Sequence, residues 1–199
     1  GGEGIGLYMM AYPIYQIIVS ISAAGIPVAI SIMIAEKLAN RDMRGVQQVF
    51  NVSLRVLTLV GIVFSVGLYA SAEWLIKWNI ITDPRALIPI QLLSPAIIVV
   101  TILSCFRGYF QGFQYMVPTG TSQVFEQIFR VGSMVGLAYY FIDSGLHLAA
   151  GGATFATFPG VLAGLIVLVY FYRSQRSLRQ QMLSEQNEEA PIERTSAVI

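Results

Sequence analysis

Glu126 and Arg130 stand four residues apart, with Gln123 and Gln127 at the same helical spacing and Arg107 upstream of them. A carboxylate one helical turn before a guanidinium is the favourable order for an ion pair. At a membrane boundary such a pair either bridges helices or closes a gate, and a structural bridge is the commoner use. Arg107, Glu126 and Arg130 are therefore the candidate cytoplasmic gate or bridge. Gln16 is an isolated amide in an apolar stretch. Arg55 lies just inside another, where it either snorkels to the surface or faces a cavity and binds anionic groups. Gln16 and Arg55 are the candidate substrate pathway. Pro13, Gly25 and Pro27 interrupt the first apolar stretch and are the candidate hinge. Proline removes a backbone hydrogen bond and bends a helix, although proline and glycine are also commoner in membrane helices generally.

Chemistry of other kinds lacks its residues. Cys105 and His147 are single, so neither a disulfide framework nor a site of two imidazoles is expected. There is no H-E-x-x-H, no P-loop and no G-x-S-x-G. No carboxylate falls in the middle of an apolar stretch, so an obvious proton-coupling site is not expected either. The expectation is a protein with no catalytic residues, no metal, no cofactor and no nucleic-acid partner. Asn51-Val52-Ser53 fits the glycosylation pattern but falls on the cytoplasmic side in the orientation derived below, and is discounted.

The elements that hold these residues follow from composition. Of 199 residues, 55% are hydrophobic and 12% are charged, and the mean hydropathy is +0.66. A water-soluble domain of this size cannot bury so much apolar surface. Crossing a bilayer core of about 30 Å takes about 20 apolar residues as a helix. Five stretches qualify, at about 7–35, 46–70, 86–105, 121–142 and 146–172, with a polar cytoplasmic linker or tail over 174–199. Barrel-like alternation is absent, so the fold class is an all-α integral membrane protein, a bundle of about five transmembrane helices. Three G-x-x-x-G pairs, Gly108/Gly112, Gly132/Gly136 and Gly160/Gly164, permit close helix approach and are expected to pack within one bundle.

Basic residues orient the bundle. Lys37, Arg41, Arg44, Arg55, Arg107, Arg130, Arg173, Arg176 and Arg179 lie on one side, against Lys77 and Arg85 on the other. The richer side is cytoplasmic by the positive-inside rule, and Trp74 and Trp78 then mark the outer interface. The chain would start outside, end inside and cross five times. It opens on GGEGIG with no basic segment or cleavage site, so no signal peptide is expected. An outside start and an abrupt polar end together suggest a fragment of a larger membrane protein.

Three stretches carry a family resemblance: EGIGLYMMAYPIYQ with SAAGIPVAISIMIAEKLA, then LIPIQLLSPAIIVVTILSC, then FRGYFQGFQYMVPTGTSQVFEQIFRV. The last is the most specific, with R-G-Y-F-Q-G, P-T and S-Q-x-x-E-Q-x-x-R in sequence. Together they resemble the polysaccharide-biosynthesis branch of the multidrug/oligosaccharidyl-lipid/polysaccharide exporter superfamily, near its stage V sporulation protein B group and the MurJ-type lipid II flippases. The resemblance covers about residues 3 to 173. It implies a bacterial plasma-membrane protein of about fourteen helices in two halves around a central cavity. Such a protein flips undecaprenyl-pyrophosphate-linked oligosaccharide by alternating access, with the bilayer and the missing remainder of the transporter as further partners. This chain would supply helices two to six of the first half. The cavity arginines of the MurJ type have no counterpart within about 7–35. A cation-coupled multidrug exporter of the same superfamily and a non-transporting scaffold of cell-wall or sporulation machinery are the alternatives.

Overall fold

The computed structural model describes residues 25–78, 86–141 and 146–175, together with residues 12, 13, 16, 17 and 20. From Ile26 onward the described residues form the helices α1 Ile26–Ala39, α2 Met43–Lys77, α3 Leu87–Gly112, α4 Val117–Phe141, α5 Leu146–Phe155 and α6 Thr157–Ser174. No strand occurs among the described residues, and the protein is an all-α bundle. Helices α2 and α3, and the run Gly151–Ser174, are each long and apolar enough to cross a membrane. The outer face of α2 exposes Val52, Val56, Leu59, Ile62, Val63 and Val66. A soluble helix would bury such a row; a membrane helix gives it to acyl chains or to another helix.

Helix α3 is the axis of the bundle and packs against each of the other five. Its outer half joins Leu68 and Ala72 of α2 and Val161 of α6 around Ile90, Leu93, Ala96 and Ile97. Its inner half gathers Ile30 and Ile34 of α1, Val46, Phe50 and Leu57 of α2, and Leu168 of α6 around Leu103, Phe106, Tyr109 and Phe110. In this inner layer Phe50 lies with its ring centroid 4.9 Å from Tyr109 and 5.0 Å from Tyr172. The Gln47 amide donates to the Tyr172 hydroxyl at 3.2 Å. The described connections on this side are short. Arg41 and Gln114 turn them with φ of 55° each, and the Asp42 side chain caps α2 by accepting from the Gly45 N–H at 2.8 Å.

Several element boundaries differ from the sequence expectation, each for a physical reason. The glycine-rich stretch after Arg107 reads as a connection, yet α3 continues through it to Gly112. A Cβ at Gly108 would lie 2.8 Å from the Pro27 carbonyl oxygen, and one at Gly112 would lie 2.7 Å from the Ile34 Cβ. These glycines are the seat for α1, and tertiary contact outweighs their weak helix propensity. The expected last span is interrupted for one residue at Ala156, although the run Gly151–Ser174 stays long and apolar enough to cross a membrane. Pro159 has no N–H to offer the Phe155 carbonyl, and its ring crowds that carbonyl, so α6 restarts with the proline in its first turn. Pro27 likewise lies in the first turn of α1, directly after the bend at Gly25. Pro27 thus falls where its missing N–H costs the helix no hydrogen bond.

Candidate functional site: a three-helix ionic corner

Glu126 is carried by α4 between Ser122 and Arg130, on the side that packs against α6 and α3. The residue is only 8% exposed. Its two carboxylate oxygens serve two different arginines. Arg130, one turn further along α4, donates from Nη2 to Oε1, and Arg107 of α3 donates from Nη2 to Oε2 at 2.7 Å. Both guanidinium side chains are largely covered, at 20% and 23% exposure. Charge-assisted bonds of this kind are the strong ones, and here one carboxylate ties α3 to α4.

Helix α6 closes the corner by backbone approach. A Cβ at Gly160 would lie 2.8 Å from the Arg130 Cβ and 3.0 Å from the Glu126 carbonyl oxygen. A Cβ at Gly164 would lie 3.2 Å from the Ser122 carbonyl oxygen. Only glycine permits this approach, so the Gly160/Gly164 pair seats α6 on the α4 turn that carries Glu126. Two arginines against one carboxylate leave the corner with a formal charge of +1. The Nε atoms of Arg107 and Arg130 are buried with no hydrogen-bond partner among the described residues. Gln123 and Gln127, at the same spacing in the sequence, are exposed.

The remaining candidates lie elsewhere. Gln16 is exposed, and its amide donates to the Tyr12 hydroxyl at 2.9 Å. Pro13 is helical and exposed. Arg55 is exposed on α2 and takes no part in the corner. It shares its helix face with Arg44, Gln48 and Asn51, all exposed, at spacings of i, i+4, i+7 and i+11. None of these four side chains has a hydrogen-bond or ion-pair partner among the described residues. The row has a sequence signal in its helical spacing, but only the structure shows that all four side chains are exposed. The Gln47–Tyr172 bond had no sequence signal, since it joins residues 125 positions apart. Arg85, Arg176 and Arg179 lie outside the described residues, as does the side chain of His147. Among the described residues no group of three His, Cys, Asp or Glu side chains is placed to hold a metal.

This geometry has a family context. Residues 1–189 match the family described as polysaccharide biosynthesis protein. The stage V sporulation protein B of Bacillus subtilis (strain 168) is 32% identical over 90% of this chain and 34% of its own length. The lipid II flippase MurJ of the same organism is 30% identical over 92% of this chain and 36% of its own length. The membrane protein YabM, again from that organism, is 30% identical over 94% of this chain and 34% of its own. This chain thus spans about a third of the length of the curated relatives it matches. No solved structure matches it. With its apolar spans, its all-α bundle and a match over nearly all its length, the chain is a multi-pass membrane protein and belongs to the polysaccharide biosynthesis protein family.

Proposed function

We propose that this chain forms part of the first half of a flippase that moves oligosaccharide linked to undecaprenyl diphosphate from the inner to the outer leaflet by alternating access. The observation that carries this reading is the similarity to a lipid II flippase over nine-tenths of the chain. The distribution of charge supports it, because Lys37, Arg41, Arg44 and Arg107 gather at the end of the bundle where α1 meets α2 and α3 meets α4, against Lys77 alone among the described basic residues at the opposite end of α2. With that end cytoplasmic, Trp74 and Trp78 stand at the opposite end of α2, both strongly exposed, where amphipathic rings suit the outer interface.

In this mechanism two bundles rock against each other around a central cavity. The Arg107–Glu126–Arg130 corner acts as a bridge that keeps α3, α4 and α6 moving as one body. Gln16 faces the cavity, because an amide turned to acyl chains lacks partners for its remaining donors and acceptors. Pro13, Gly25 and Pro27 serve as the hinge that lets the segment carrying Gln16 move relative to α1. The test is reconstitution of the whole protein into vesicles with a polyprenyl diphosphate bearing a disaccharide, followed by an assay for lipid exposed at each face. Protein-dependent transfer is the expected result. Correct assembly into a cell-wall complex without any transfer would leave a scaffold and end the flippase reading.

A further inference from the structure

The row Arg44, Gln48, Asn51 and Arg55 sits at one height-ordered edge of α2, turned away from the core that α2 builds through Val46, Phe50 and Leu57. Its depth follows from the length of the helix. Thirty-five residues make α2 about 52 Å long, while the hydrocarbon core is about 30 Å thick. The helix must therefore project well beyond one face of the core. Trp74 and Trp78 anchor the outer end, so the projection is cytoplasmic. Arg55 is about 28 Å from Trp74 along the axis, which sets its guanidinium at the inner boundary of the hydrocarbon. Asn51, Gln48 and Arg44 then stand about 6, 10 and 16 Å further out. The headgroup layer of one leaflet is only about 5–8 Å deep. Arg55 and Asn51 thus lie among lipid phosphates, and Gln48 and Arg44 lie in the water above them.

The four side chains are matched to a ligand that is itself ordered along the membrane normal. A guanidinium at the phosphate level binds phosphate oxygens with paired donors. Two amides above it offer both donors and acceptors, the complement of sugar hydroxyls. A second guanidinium at the far end suits a terminal carboxylate or phosphate. An ordinary phospholipid headgroup does not reach the outer half of this row. The nearby acids do not neutralise it: Asp42 is engaged by Lys37 and the Gly45 N–H, and Glu36 is exposed on α1. From this register we propose that the row is a docking strip for lipid diphosphate-linked oligosaccharide at the cytoplasmic membrane surface. Arg55 holds the diphosphate, Asn51 and Gln48 hold the sugars, and Arg44 holds an acidic group beyond them. This rests on the flippase reading and adds a subsite to it, on a helix face outside the ionic corner.

The experiment measures affinity in nanodiscs for the whole protein, with three probes: polyprenyl diphosphate bearing a disaccharide, bare polyprenyl diphosphate, and phosphatidylglycerol. Arg55→Gln should weaken both diphosphates by about tenfold or more, the effect of losing a charged hydrogen-bonding partner. The double variant Gln48→Ala/Asn51→Ala should weaken only the glycosylated probe, by several-fold. All these positions are exposed, so an unchanged melting temperature in detergent is expected and separates docking from folding. Equal losses on phosphatidylglycerol and on the glycosylated probe would reduce the strip to a generic anionic-lipid contact and overturn the proposal. So would a Gln48→Ala/Asn51→Ala variant that binds and flips the glycosylated probe as the unaltered protein does, with the flippase reading then intact. If the unaltered protein prefers none of the three probes, the flippase reading fails and the strip fails with it.

Discussion

Two pairs of arginines in the bundle have opposite surroundings. Arg107 and Arg130 are mostly covered and share the carboxylate of Glu126. Arg44 and Arg55 are exposed, on a helix face with no acid in reach among the described residues. The difference comes from the helices behind them. Glycines at 160 and 164 let α6 press onto α4 and shut the corner, so a guanidinium there needs a counter-charge. Among the described residues nothing packs over the α2 row, which leaves its guanidiniums available to a ligand. Arginine content alone therefore says little about role; the packing density around each one decides between structure and binding.

The largest effect should come from removing the shared carboxylate. Glu126→Gln leaves two partly buried guanidiniums facing each other, and the loss is expected at about 3–5 kcal/mol. The fraction of monodisperse protein in detergent and its thermal midpoint would read this out. Arg130→Gln should cost less, because Arg107 still holds the carboxylate. The double variant Glu126→Gln/Arg130→Gln should be milder than the sum of its parts, as coupled residues are. Replacing Arg107, Glu126 and Arg130 together by Met, Leu and Met should recover most of the stability, since well-packed apolar residues substitute for a buried ionic cluster at little cost. If Glu126→Gln behaves as wild type in yield and transfer, the corner is surface decoration and the contrast between the two arginine pairs disappears.

Next in size is the seat of the corner. Gly160→Leu forces a side chain against the Arg130 Cβ and the Glu126 carbonyl and should cost about 1–3 kcal/mol, the range for overpacking. A cysteine crosslink between α4 and α6 at an exposed flank would report their separation as a lower yield. By contrast, Arg55→Gln and Arg44→Gln should each change stability by about 0.5 kcal/mol or less, as exposed substitutions do. A thermal shift as large as that of Glu126→Gln would mean that the row is covered in the whole protein.

The smallest change sharpens the comparison further. Gly108/Gly112 and Gly160/Gly164 are filled by neighbours, whereas Gly132 and Gly136 on the outer side of α4 have nothing within 4 Å of where a Cβ would stand. Gly132→Ala should stabilise this bundle on its own by up to about 1 kcal/mol through helix propensity. The same substitution destabilising the whole protein would show a helix from beyond this chain seated at that pair.

Much of the bundle was legible because lipid imposes a coarse rule. Apolar stretches must be helical, and Lys and Arg must collect on one side, so Leu87 onward, Val117 onward and the run before Arg173 read as helices directly. The i,i+4 spacing of Glu126 and Arg130 brought those two together for the same local reason. Helix ends were harder, because a glycine such as Gly108 weakens a helix in isolation yet sits inside one when Ile30 packs on it.

What the sequence determined by itself was the helical, membrane-spanning class, the side that carries the cations, and the pairing of Glu126 with Arg130 one turn along the same helix. These follow from the solvent and from the 3.6-residue repeat. Only the tertiary structure decided that Arg107 reaches the second oxygen of Glu126, that Gln47 meets Tyr172, and that two of three glycine pairs are occupied. Those contacts join distant segments, and they form where α3 meets α1, α2, α4 and α6. Which side chains meet there depends on how closely neighbouring backbones approach, a property of pairs of helices that no single stretch of chain encodes.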